Sequence, residues 1–270
     1  MAVPLNSPRF GSLRAGRLAL ERWLVAYRRT WWSSLAQSFV NPLMFLLALG
    51  FGLGSLVDDS VSAAQDLGGL DYVQFLAPGL MVASGIQIAG LDAAWPVMGA
   101  VKWDRLYPAQ LATPLRVVDV MVGHLAFMML RVLLASVVFL GVTASLGLVS
   151  SALAPIALVA AVAVGFVIAA LMSAFSVTRE NETGSMIGAI RFVIGPMFLF
   201  SGTFFPVDQL PIGVRWLAWI TPLWHGVEIS RDVVLGGADL ATAGHGGVLA
   251  LYCVVAWMVV RRAYEWRLAR

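Results

Sequence analysis

Two of the residues able to do chemistry sit where charge is expensive. Asp92 and Arg131 lie inside long apolar stretches, and an ionisable group within hydrocarbon marks function by default. Asp92 falls about nine residues before the polar end of its stretch, and Arg131 about fourteen residues into the next, at 1.5 Å per residue. If the two stretches run antiparallel, the side chains share a depth and are expected to pair. A simple packing ion pair, or an Arg131 that snorkels to the interface, fits the same positions. Arg191 is expected to reach the nearer interface by its long stem.

Other chemistry is scarce. The single lysine, Lys102, stands in "AVKWD", whereas an ATP-binding P-loop needs Gly-Lys-Ser/Thr to reach the terminal phosphates. The chain is therefore no P-loop ATPase. His124, His225 and His245 lie in separate elements without metal-ligand spacing and read as helix-end or structural residues. Cys253 is the only cysteine, so no internal disulfide forms. No catalytic residue, metal site or bound cofactor is expected, and nothing points to nucleic acid.

The elements that position these residues are membrane spans. Of 270 residues, 60% are hydrophobic and 12% charged, against roughly 45–50% and about 25% in soluble domains. Crossing a bilayer takes about 20 apolar residues as helix. Six stretches qualify: 35–57, 72–101, 117–149, 152–175, 185–205 and 240–260. The expected fold is all-α and integral to the membrane, with a cytoplasmic segment over 1–34 and a six-span domain over 35–270. With the N-terminus inside, the inner segments hold fourteen Lys or Arg and the outer ones only Arg215 and Arg231. That asymmetry puts both termini in the cytoplasm. No long apolar core precedes Leu35, so the first span itself directs insertion.

Around this frame three features stand out. Residues 11–32 read as an amphipathic interfacial helix, with Leu13, Leu20, Trp23, Leu24 and Tyr27 on one side and Arg14, Arg17, Arg22 and Arg28 elsewhere. Gly50 with Gly54, and Gly184 with Gly188, have the four-residue spacing of close helix crossings or a dimer contact. After the fifth stretch, "SGTFFPVDQLP" breaks the helix at Gly202, Pro206 and Pro211, yet Trp216, Trp219 and Trp224 follow. Segment 206–239 reads either as broken, re-entrant outer helices or as an interfacial loop with an aromatic belt. Irregular backbone at membrane depth needs cover from protein or a watery cavity.

Three segments then carry a resemblance. "NPLMFLLALGFGLG", "LYPAQLATPLRVVDVMVGHL", and "MFLFSGTFFPVDQLP" followed by "LAWITPLWHGVEISRDVVLGG" resemble the membrane subunits of type-2 ABC exporters. The similarity is nearest the branch exporting nodulation lipo-oligosaccharides and antibiotics. It covers nearly the whole chain. It implies a multi-pass permease of a bacterial cytoplasmic membrane, paired with a second copy or a homologous permease. It also implies two separate cytoplasmic ATPase subunits that bring ATP and Mg. A coupling helix would lie in loop 102–116, with Trp103, Asp104, Arg105, Leu106 and Tyr107 as its contact face. Arg179, Glu180 and Glu182 in "SVTRENETG" would be secondary contacts.

The implied cargo is lipid-like: a lipid, a glycolipid or a hydrophobic antibiotic, moving among membrane lipids. The loop "RENETG" is more charged than the nodulation branch leads one to expect, so its substrate does not transfer. Two other classes compete. A self-sufficient ion-coupled transporter would carry several intramembrane acids or repeat symmetry, and a membrane scaffold would need no coupling helix.

Overall fold

The computed structural model describes residues 12–54, 57, 67, 69–179 and 183–269, and every regular element among them is helical. Helix α1 (Ser12–Phe45) runs directly into a π-helical stretch, Leu46–Leu53. No Gly or Pro occurs between Arg17 and Asn41, so nothing ends the helix at the membrane surface. The interfacial helix and the start of the first span, expected as separate elements, are thus one helix of 34 residues. The ladder widens only after Pro42, where Gly50 and Gly52 weaken it.

Helices α2 (Tyr72–Lys102), α4 (Val117–Ser145), α5 (Ile156–Thr178) and α10 (Leu240–Leu268) are long and apolar enough to cross a membrane. A short helix α3 (Leu106–Leu111) joins α2 to α4. The fifth stretch is interrupted: α6 (Thr183–Ala189), a π-helical turn Ile190–Ile194, then α7 (Gly195–Phe200). Pro196 at the start of α7 removes a backbone N–H and crowds the preceding turn, which opens there. Four of the six expected spans are thus continuous helices, while the first and fifth carry π-helical interruptions.

Helix α2 is the hub. Its apolar window is 83% buried, against 17% for α10. Gly85 and Gly165 let α2 and α5 close on Val132 of α4, where an added Cβ would stand 3.2 Å from a Val132 methyl. Helix α10 leans on the bundle through Leu249, Ala256, Val260 and Tyr264, a stripe of one residue per one or two turns.

The chain after α7 turns back on itself. Gly202 at φ +77° takes a conformation open chiefly to glycine. A turn at Val207–Gln209 leads to α8 (Ile212–Ile220), capped by Pro211, and then to α9 (Pro222–Leu235). Helix α9 is buried against α2 and α5: Ser230 donates to the Pro78 carbonyl at 3.1 Å, and Gly226 fits where any side chain would strike Val164. Pro78 and Val82 lie six and ten residues into α2, so α9 reaches about 15 Å along it. Ser201 and Thr203 are fully buried, Gly79 packs on the Thr203 backbone, and Tyr72 donates to the Phe204 carbonyl at 3.0 Å.

Candidate functional site

At the end of the bundle opposite α9, α2 stops when the N–H groups of Trp103 and Asp104 both fall back on the Gly99 carbonyl, at 3.0 and 2.9 Å. Arg105 follows in the left-handed region, φ +47°, which costs a non-glycine residue about 1–2 kcal/mol. That reversal sends the chain sideways into α3. Trp103 is 62% exposed, and Asp104 and Arg105 are exposed beside it. The loop closes where the Arg116 N–H donates to the Asp119 carboxylate at 2.9 Å.

The sequence placed Tyr107 on the same outward face. The structure corrects this: Tyr107 is wholly buried and Leu106 half-buried, because α3 presents its first turn to the bundle. The Tyr107 hydroxyl lies 2.5 Å from Nδ1 of His124 on α4 and 3.1 Å from the hydroxyl of Tyr264 on α10. The chain of bonds closes when Tyr264 donates to Tyr107 and Tyr107 donates to the imidazole. Burial first, and the adjoining Tyr264, push the Tyr107 phenol well above its ordinary range. On the other side of His124, the indole of Trp23 stacks at 3.7 Å with planes 9° apart. One loop residue therefore joins α3, α4, α10 and, through His124, α1.

Helix α1 reaches this junction by close backbone packing. Ala15 and Ala19 are 1% exposed, and Gly123 of α4 lies so near that an added Cβ would overlap Ala19. Trp23 and Tyr27 continue the four-residue ridge onto Phe127. The sequence showed the apolar stripe of Leu13, Leu20 and Leu24 but not this small-residue ridge. Trp23, His124 and Tyr264 were not read as functional; lone polar groups on apolar helix faces near one end were their only signal.

Asp92 and Arg131 do meet in an ion pair between α2 and α4, with side chains 14% and 15% exposed. The Arg131 guanidinium also lies 5.6 Å from the Tyr27 ring centroid. Gly50 is buried against Val73 and Gly54 is buried. Gly184 and Gly188 face nothing within 4 Å among the described residues, so neither makes a crossing with them. Arg179 is exposed over the Phe175 ring, 4.4 Å from its centroid, whereas Glu180 and Glu182 fall outside the described residues. Trp216, Trp219 and Trp224 form a ladder with centroids 5.1 and 6.2 Å apart. Pro206 is half-buried. His225 and His245 approach through their Nδ1 atoms at 2.8 Å, but no cluster of three metal-ligating side chains exists among the described residues.

The sequence profile described as ABC-2 type transporter matches residues 16–235. The chain belongs to that family. Among characterised members of the ABC-2 type, it is similar to Nodulation protein J of Rhizobium leguminosarum bv. viciae, 31% identical over 96% of this chain and 98% of that protein. Nodulation protein J of R. leguminosarum bv. trifolii is 30% identical over 92% and 94%. The inner membrane transport permease YadH of Escherichia coli K12 is 23% identical over 87% and 90%. As an ABC-2 permease, the chain is the membrane subunit of a transporter, a multi-pass protein of a bacterial cell membrane.

Proposed function

We propose that this ABC-2 permease is the membrane half of an ATP-driven exporter for a lipid-like, glycolipid or hydrophobic antibiotic cargo. Two copies, or this chain with a sister permease, enclose the pathway with six spans each and both termini cytoplasmic. A separate ATPase binds each copy at loop 102–116, supplying the ATP and Mg chemistry that this chain lacks. Trp103, Asp104 and Arg105 are the contact, with Arg179 as a secondary one.

The junction at α3 carries this reading. An exposed patch for a partner, Trp103–Arg105, ends two residues before a buried tyrosine tied to two other helices, so a push on the patch is felt in the bundle. The folded-back α8–α9 pair supports an outer gate, since α9 packs into the bundle against α2 and α5 while α8 keeps an exposed apolar face of Ile212, Trp216, Leu217 and Ile220. The tagged chain, extracted gently from its native membrane, should bring down a soluble P-loop ATPase at one copy per permease. The double change Asp104→Ala/Arg105→Ala should lose it while the permease remains folded. An ATPase retained by that variant would move the contact elsewhere, and a folded wild-type chain without any ATPase would refute the exporter reading.

A further inference from the structure

Two hydrogen bonds between side chains join α9 to α10 among the described residues. Near the loop that connects the helices, the Thr242 hydroxyl donates to the Asp232 carboxylate at 2.6 Å. One to two turns further in, His225 meets His245 with their Nδ1 atoms 2.8 Å apart. The ring centroids stand 5.1 Å apart, close to the widest separation that such a contact allows, so the two nitrogens face each other head-on. That is the arrangement of a shared hydrogen, not of two lone pairs converging on a metal. His225 is 8% exposed and His245 half-buried, and the Trp224 indole makes a T-shaped contact with each ring at 4.8 Å.

Counting protons shows what the contact tolerates. With both rings neutral, one Nδ1–H donates and the other Nδ1 accepts. A first added proton goes to the bare Nε2 of the donor ring, which keeps donating, now as a cation, and the bond strengthens. A second proton has only the accepting Nδ1 left. Two N–H groups then point at each other, and two like charges share a buried site.

The surroundings favour the first proton and leave the second uncompensated. The Trp219 carbonyl faces the His225 ring, and the Ile220 carbonyl accepts from the Tyr252 hydroxyl of α10; both belong to the C-terminal turn of α8, which draws positive charge. Asp239 lies near enough to His245 for opposite charges to attract, although it already caps α10 through the Thr242 N–H at 3.0 Å. The other acids are engaged: Glu228 holds Arg231 at 3.0 Å, and Asp232 holds Thr242. Helix α5 has no charged residue. Helix α2 brings Tyr72, bonded to the Phe204 carbonyl, and Arg215 of α8 is turned to the Asp208 and Leu210 carbonyls.

We propose that the His225–His245 contact is an acid-released latch that holds α9 to α10, keeping its hydrogen bond through one protonation and parting at the second. Its place on an outer gate rests on the exporter reading; the latch itself does not. The test uses the full chain in nanodiscs, labelled with ¹⁵N-histidine and titrated from about pH 8 to about pH 4, across the ordinary histidine range. Deuterium exchange of α9 amides is followed in parallel, taken relative to α5 at each pH so that intrinsic exchange chemistry cancels. The pair should charge in two separate steps. Because the released state binds one more proton, relative exchange in α9 should rise about tenfold per pH unit through the second step. His225→Gln and His245→Gln cannot hold two charges, and glutamine keeps a donor and an acceptor, so in either variant the relative exchange should stay flat; the half-buried position 245 is the milder of the two. Acid loosening that persists in the folded variants would assign the effect to Glu228, Asp232 or Asp239 and overturn the latch. So would a wild-type chain whose two rings both charge while α9 stays protected. Neither variant touches loop 102–116, so a chain that still brings down its ATPase but fails this titration loses the latch and not the exporter reading.

Discussion

At the scale of single residues, neighbours in the loop divide the labour. Trp103→Ala touches an exposed side chain and should change stability by less than about 0.5 kcal/mol, yet remove ATPase binding in a pull-down. Tyr107→Phe should do the reverse. It leaves the His124 acceptor and the Tyr264 hydroxyl short of a partner, costs about 1–3 kcal/mol in thermal unfolding, and retains the ATPase while transport falls. The raised Tyr107 pKa also sets a sign. Its contribution is complete below the ordinary phenol value, about pH 10, and is lost as pH rises through the higher folded value. Unfolding midpoints should therefore drop above about pH 10, and drop less in Tyr107→Phe. Asp92→Asn should cost about 3–5 kcal/mol by stranding Arg131, with much of it recovered in Asp92→Asn/Arg131→Gln. The Asp92–Arg131 contact was legible because intramembrane charges are few and their depths could be counted. Tyr107 was misread because a six-residue helix has too little sequence to show which side is buried.

At the scale of elements, backbone approach decides how helices meet. Gly123→Leu should wedge α1 away from α4 at Ala19 and destabilise the chain by about 1–3 kcal/mol, measured by thermal unfolding in detergent. Cysteine accessibility at Trp23→Cys should rise with it. The four continuous spans and the break after Phe200 were readable from hydropathy, proline and glycine. The fusion of the N-terminal helix with the first span was not. Its Arg-rich face resembles a surface anchor, while the side that packs is made of Ala15 and Ala19, which no hydrophobic stripe announces. The packing of α9 was equally hidden, since Gly226 and Ser230 gain meaning only beside Val164 and Pro78.

For the whole molecule, α1 is structural rather than peripheral. A chain lacking residues 12–30 should expose His124 and Phe127 and lose its monodisperse peak in size-exclusion chromatography, where a mere lipid anchor would be dispensable. The Trp23–His124–Tyr107–Tyr264 junction draws on positions from near the beginning of the sequence to near its end. Ribosomes deliver the N-terminal parts first, so Tyr264 is the last member to arrive. A nascent permease therefore holds its loop helix unlatched until the final span is in place, and premature termination leaves a chain that proteases can recognise at that loop.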